Sequence, residues 1–139
     1  MLIEILLAII IGIILGIFSG ITPGVHVNLI SILLLAISTF LLNYVSAIFL
    51  ASLIVSMAIT HTFLDIIPSV YLGAPDEDKI LNALPGHRKL LQGKAFEAVQ
   101  LSIIGALIGL ISCIIFLPLF LAITLPTYEI IKNYIGWIL

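Results

Sequence analysis

Four long apolar runs and one short apolar tail, separated by brief polar interruptions, make up most of the sequence. Runs of about 20 apolar residues are what a helix needs to cross a hydrocarbon core of about 30 Å. The pattern predicts an all-α, polytopic integral membrane protein of about four transmembrane helices. The expected spans are about residues 2–18, 27–43, 45–66 and 99–123. Between the last two lies a polar loop, 73–98. The tail 127–139 is amphipathic, with Tyr128, Tyr134 and Trp137, and is too short to span as one helix. It reads as an interfacial segment or a partial helix.

The interruptions within this pattern are not random. Gly12, Gly16, Gly20 and Gly24 recur every four residues, which on a helix puts small residues on one face. Gly12 and Gly16 are expected to form a packing groove, and Gly20 and Gly24 to lie beyond regular helix. Pro23-Gly24 breaks the helix, because proline lacks a donor and glycine permits positive φ. Irregular backbone at membrane depth persists only when buried in protein or lining a wet cavity. Ser52, Ser56 and Thr60 form a second four-residue stripe. Gly105 and Gly109 form a GxxxG packing pair. Asn43-Tyr44 marks a turn at the membrane surface.

Composition agrees with this reading. The 139-residue chain is 63% hydrophobic and 9% charged, with a mean hydropathy of +1.39. Ordinary soluble domains are about 25% charged, and a short soluble chain cannot bury so much apolar surface. A soluble enzyme, a nucleic-acid binder and a disordered segment are excluded. The lipid bilayer is the first partner, and the location is the cell membrane, crossed several times. Four of the five Lys and Arg residues (Lys79, Arg88, Lys89, Lys94) fall in the loop 73–98. The positive-inside rule makes that loop cytoplasmic. The N-terminus is then outside if three spans precede the loop, and inside if one of them is re-entrant. The first run lacks the basic leader of a cleaved signal peptide. Cys113 is the one cysteine, so neither a disulfide within the chain nor a multi-cysteine zinc cluster can form.

Ionisable side chains inside membrane segments are costly and therefore candidate functional groups. His26 and Asn28 follow the Pro23-Gly24 break, where a broken helix offers backbone N–H groups and a positive dipole end to an anion. His26 can donate to such an anion or titrate near neutral pH. His61 and Asp65 are four apart, on one helical face. That spacing suits a metal pair, a proton relay or substrate contact, or a self-neutralising structural pair. Two ligands fall short of a metal site. Gly73–Lys79 reads as a turn and a capped helix start. Leu84-Pro-Gly-His87 reads as a basic interfacial loop or a re-entrant turn, and faintly echoes Thr22-Pro-Gly-Val-His26. No phosphate-binding GxxxxGK[ST] or nucleophile–base set is present.

Taken together, Ser19–Asn28, Leu72–Asp78, Ala83–Arg88 and Gly93–Ala98 resemble the TctA family, the large permease subunit of tripartite tricarboxylate transporters, and in particular its archaeal branch. The resemblance implies a secondary-transporter-like protein with inverted repeats and re-entrant segments at its Pro-Gly motifs. It also implies carboxylate import with a periplasmic binding protein and a small membrane subunit, driven by an ion gradient. The family's Pro-Gly motif maps onto Pro23 and Gly24, and the archaeal His and Asn onto His26 and Asn28. Its Gly-x-Pro and Pro-Gly-His motifs map onto Gly73–Pro75 and Pro85–His87. Family members are longer, and the chain resembles their N-terminal half.

The expected function is a half-sized permease for a small carboxylate or other anion. It assembles as a homodimer or with a second half-subunit. Its expected site residues are Thr22, Pro23, Gly24, His26, Asn28, His61, Asp65, Pro85, Gly86 and His87. No cofactor is expected beyond a coupling ion, Na⁺ or H⁺, and no enzymatic activity. The same features also fit a flippase for an anionic lipid such as a polyprenyl phosphate. A membrane-embedded enzyme and a non-transporting structural subunit are the remaining alternatives.

Overall fold

The computed structural model describes residues 1–73 and 80–132. All regular structure among them is α-helix, in two compact units, Met1–Ile103 and Ile104–Leu139.

In the first unit, α1 runs Leu2–Ile21. It stops at Thr22 because the residue before a proline is pushed toward extended backbone, and Thr22 has φ −91° and ψ 108°. Thr22, Pro23, Gly24 and Val25 then form a type II turn. Pro23 takes its second place, Gly24 its third with φ +83°, and the Val25 N–H donates to the Thr22 carbonyl at 3.2 Å. Chain direction resumes in α2, Val27–Ala36, and after a distortion at Ile37 in the single turn α3, Ser38–Leu41. A turn through Asn43 and Tyr44 leads to α4, Ala47–Leu64. The Ser46 hydroxyl caps α4 by accepting from the Phe49 N–H at 3.2 Å.

Asp65 separates α4 from α5, Ile66–Tyr71. The cause is Pro68, which has no N–H to offer the carbonyl of Leu64, four residues back. The apolar stretch nevertheless continues through the joint, from Ala47 to Tyr71. Helix α6, Ile80–Leu91, follows the residues left undescribed. It closes in a Schellman motif: Gly93 at φ +75°, its N–H bonded to the Leu90 carbonyl, and the Lys94 N–H bonded to that of Lys89. Helix α7 runs Ala95–Ile131, and its part beyond Ile103 forms the described portion of the second unit.

Two packed zones hold the first unit. One is a seam of α1 against α4, where Ala8, Gly12, Gly16, Ser19 and Gly20 are buried facing Leu50, Leu53, Met57 and His61. The backbones approach so closely that a Cβ on Gly16 would lie 2.6 Å from both the Met57 carbonyl oxygen and the Thr60 Cβ. A Cβ on Gly20 would lie 2.9 Å from the Leu64 Cβ. In lipid, where burying apolar surface gives little drive, such close packing is a main source of helix association. The second zone joins Ile66 and Val70 of α5 to Ala95, Ala98 and Val99 at the start of α7, with Ile67 and Leu90 packed alongside. Lys89 and Glu97 pair across the Schellman turn.

Three helices are long and apolar enough to cross a membrane: Leu2–Ile21, Ala47–Tyr71 and Ala95–Tyr128. Val27–Ala36 is a shorter apolar helix. This agrees with an all-α, polytopic membrane protein. Many large apolar side chains, including Leu6, Ile10, Ile14 and Phe18, face outward, as lipid-facing residues do.

Several expected boundaries differ. Gly20 is helical and packed in the seam, because the pre-proline restriction acts on Thr22 alone and α1 continues to Ile21. The span expected to end at residue 66 continues through α5 to Tyr71. The stretch expected as a polar loop, 73–98, contains α6 and the first turn of α7. Leu84–His87 is therefore helical, neither a loop nor a re-entrant turn, with Pro85 inside α6. Thr127–Ile131 continues α7 and does not begin a separate tail segment. Of the turn and capped start expected at Gly73–Lys79, all but Gly73 lies outside the described residues, as do the tail's Tyr134 and Trp137. In the second unit, a Cβ added at Gly105 or Gly109 would meet nothing within 4 Å.

Candidate functional site

The seam between α1 and α4 ends in polar residues. Ser19, His61, Asp65 and Ser69 are all buried, each at most 5% exposed. His61 lies on the α4 face that the glycines approach, so the same close packing that joins the helices also encloses its ring. Its Nδ1 is 3.0 Å from the Ser19 Oγ, and its Nε2 is 3.6 Å from the Asp65 Oδ2. Ser19 donates to the Gly16 carbonyl at 3.3 Å, and Ser69 donates to the Asp65 carbonyl at 2.8 Å.

His26 completes the cluster from the other side of the Pro23-Gly24 turn. Its ring centroid is 5.5 Å from that of His61, with the planes inclined at 48°. It is half-buried and serves as the N-cap of α2: its Nδ1 accepts from the Asn28 N–H at 3.1 Å. A nitrogen that accepts carries no proton, so neutral His26 bears its hydrogen on Nε2. The turn thus places a histidine at the positive end of α2 and against the buried His61.

The polar stripe expected on α4 belongs to the same seam. Ser56 bonds back to the Leu53 carbonyl at 3.0 Å and Thr60 to that of Ser56 at 2.8 Å. Their hydroxyls are satisfied within their own helix, and their small side chains admit Gly12 and Gly16.

Ser19, His61 and Asp65 contain the three residue types of an acyl-transfer triad, but the geometry does not suit one. Such a triad needs an exposed hydroxyl beside the free nitrogen of a histidine that the carboxylate orients. Ser19 is 1% exposed, with its hydroxyl closed in between the Gly16 carbonyl and the His61 ring. The arrangement is a buried polar relay that links α1 to α4. Among the described residues no group of three His, Cys, Asp or Glu side chains is arranged to hold a metal ion.

Of the residues singled out in the sequence, Thr22, Pro23, Gly24, His26 and Asn28 form the turn and the cap, and His61 and Asp65 the buried pair. Pro23, Gly24 and Asn28 are exposed. Pro85, Gly86 and His87 sit on α6. Gly86 is buried where a Cβ would lie 3.1 Å from Val70, and His87 is exposed near Gly73. Sequence reasoning missed Ser19 and Ser69. The one local signal for Ser19 is its position between Gly16 and Gly20 at the end of the glycine stripe.

Residues 6–139 match the model of the tripartite tricarboxylate transporter TctA family. A 92-residue stretch, 66% of the chain, is 36% identical to the uncharacterized protein MJ1079 of Methanocaldococcus jannaschii. That stretch covers 22% of the relative, so the chain matches about a fifth of its length. No solved structure matches the chain.

Proposed function

Because the chain belongs to the tripartite tricarboxylate transporter TctA family, we propose that it supplies one part of a permease that carries a small carboxylate or other anion across the cell membrane. One observation carries this reading: the non-helical turn Thr22–Val25 lies between two apolar helices and leads directly to His26 against His61. In a bilayer, backbone of this kind has to be covered by protein or line a wet cavity. Pro23 and Gly24 are exposed, as backbone that lines a wet cavity or meets a second copy or a second half would be. The N-terminus of α2, the Nε2–H of His26 and the amide of Asn28 are donors suited to a carboxylate. The family's tripartite organisation supports partner subunits that deliver the anion, and an ion gradient supplies the work. The protein is then a carrier and not an enzyme.

Uptake by the full chain in proteoliposomes tests this, with labelled citrate and simpler carboxylates and an imposed gradient of H⁺ or of Na⁺. Accumulation above that of empty vesicles, from particles of about twice the chain mass in detergent, is the expected result. Vesicles that take up no carboxylate but scramble a fluorescent anionic lipid would replace this reading with a lipid flippase.

A further inference from the structure

We infer that the corner where α6 turns into α7 is an anchor for anionic phospholipid headgroups, held by Arg88, Lys89 and Lys94 beside the exposed side chains of Leu91 and Phe96. The anchor goes beyond the permease reading and does not rest on it.

Charge is distributed unevenly here. Arg88, Lys89 and Lys94 are all the lysines and arginines among the described residues of the first unit. The acids Asp76, Glu77 and Asp78 precede α6 in the sequence, and Glu97 alone follows it before Ile103. Residues 80–103 therefore carry three bases against one acid, in a chain whose net charge is −2. Attraction of an anion to this corner is a local property and not one of the chain as a whole.

The Schellman turn concentrates that charge. The helix residue four before the glycine of this motif and the residue just after it commonly meet through apolar side chains. Here they are Lys89 and Lys94, tied by the 2.8 Å bond from the Lys94 N–H to the Lys89 carbonyl. Glu97 answers one of the two, by pairing with Lys89. Arg88 and Lys94 are exposed, and positive charge is left over.

The corner also lies at the edge of the apolar layer. The apolar helix Ala47–Tyr71 ends shortly before it, and Ala95–Tyr128 starts at it. Ile66 and Val70, near the end of the first, pack on Ala95, Ala98 and Val99 at the start of the second. Helix α6 is amphipathic: Gly86 and Leu90 pack inward, and Arg88 and Leu91 face out. Leu91 is 78% exposed and Phe96 67%, one on each side of the turn. Basic residues beside exposed apolar ones, at the end of a span, suit the boundary between headgroups and acyl chains. Lysine and arginine stems reach from there to lipid phosphates. A free phosphate would match the charge but leave Leu91 and Phe96 in water. A zwitterionic headgroup brings a cation of its own.

The test is native mass spectrometry of the full chain in non-ionic detergent, titrated with phosphatidylglycerol or with phosphatidylcholine of the same acyl chains. A lysine or arginine near an anionic lipid surface is worth about 1 kcal/mol, or about fivefold in affinity. With two such charges free, phosphatidylglycerol is expected to bind about 25-fold more tightly than phosphatidylcholine. Arg88→Gln combined with Lys94→Gln is expected to bring the two lipids to about equal affinity. Glu97→Gln removes the acid and frees Lys89, and is expected to strengthen phosphatidylglycerol binding about fivefold; a merely structural ion pair would give no gain. Equal affinities in the unsubstituted chain, or an undiminished preference in the double variant, would overturn the anchor. Displacement of phosphatidylglycerol by an equal concentration of inorganic phosphate would also overturn it, in favour of a free-anion site. Should the double variant not fold, the gain or its absence in Glu97→Gln decides alone.

Discussion

The Nδ1 of His61 and the Oγ of Ser19 lie 3.0 Å apart although 42 positions separate them in the chain. This contact ties α1 to α4 at the buried end of the glycine seam. Removing only the hydroxyl, by Ser19→Ala, is expected to destabilise the protein by about 1 kcal/mol. Thermal unfolding in detergent measures it.

The pair that His61 forms with Asp65 is expected to behave differently. Removing one partner of a buried pair strands the other and costs about 3–5 kcal/mol. Asp65→Asn and His61→Ala should each show that large loss. The double variant should lose clearly less than the sum, and a double-mutant cycle on unfolding free energies checks the coupling. Additive losses would mean the two side chains do not act as a pair.

Glycines of different surroundings should separate cleanly. Gly16→Val would drive carbon into the Met57 carbonyl and Thr60, and overpacking of this kind costs about 1–3 kcal/mol or more. Gly105→Ala meets open space within its unit and improves helix propensity by up to about 1 kcal/mol. The same melting series compares both. Equal effects at the two sites would contradict the seam.

At the turn, Gly24 holds φ +83° with open space around a would-be Cβ. Its substitution is therefore strained by backbone conformation alone. Gly24→Ala is expected to cost about 1–2 kcal/mol, and Gly24→Asn, which tolerates this conformation better, less. The order of their melting temperatures is the readout.

What could be read from sequence was what local chemistry decides. Pro23 and Gly24 announce their turn because a missing donor and a positive φ act within three residues. Gly12 and Gly16 announce a helix contact because nothing else explains small residues at that spacing. Gly86 shows where this logic stops. A Pro-Gly pair reads as a turn, yet it is carried inside α6, where Gly86 packs on Val70. Tertiary contact outweighed local preference. Ser19 was illegible for the opposite reason: nothing near a serine reveals a histidine that folding will bring to it from another helix. The nearness of His26 to His61 depended likewise on how tightly the turn folds α2 back.

Asp65 is also the residue at which α4 gives way to α5, because Pro68 withholds a backbone bond. Its carboxylate therefore rides on the weakest joint of a long apolar helix, while His61 rides on the regular turn before it. Any change in the bend at Pro68 alters the gap between acid and imidazole. The chain carries, in effect, a strain gauge: a bend in this helix is read out as a distance between an acid and an imidazole.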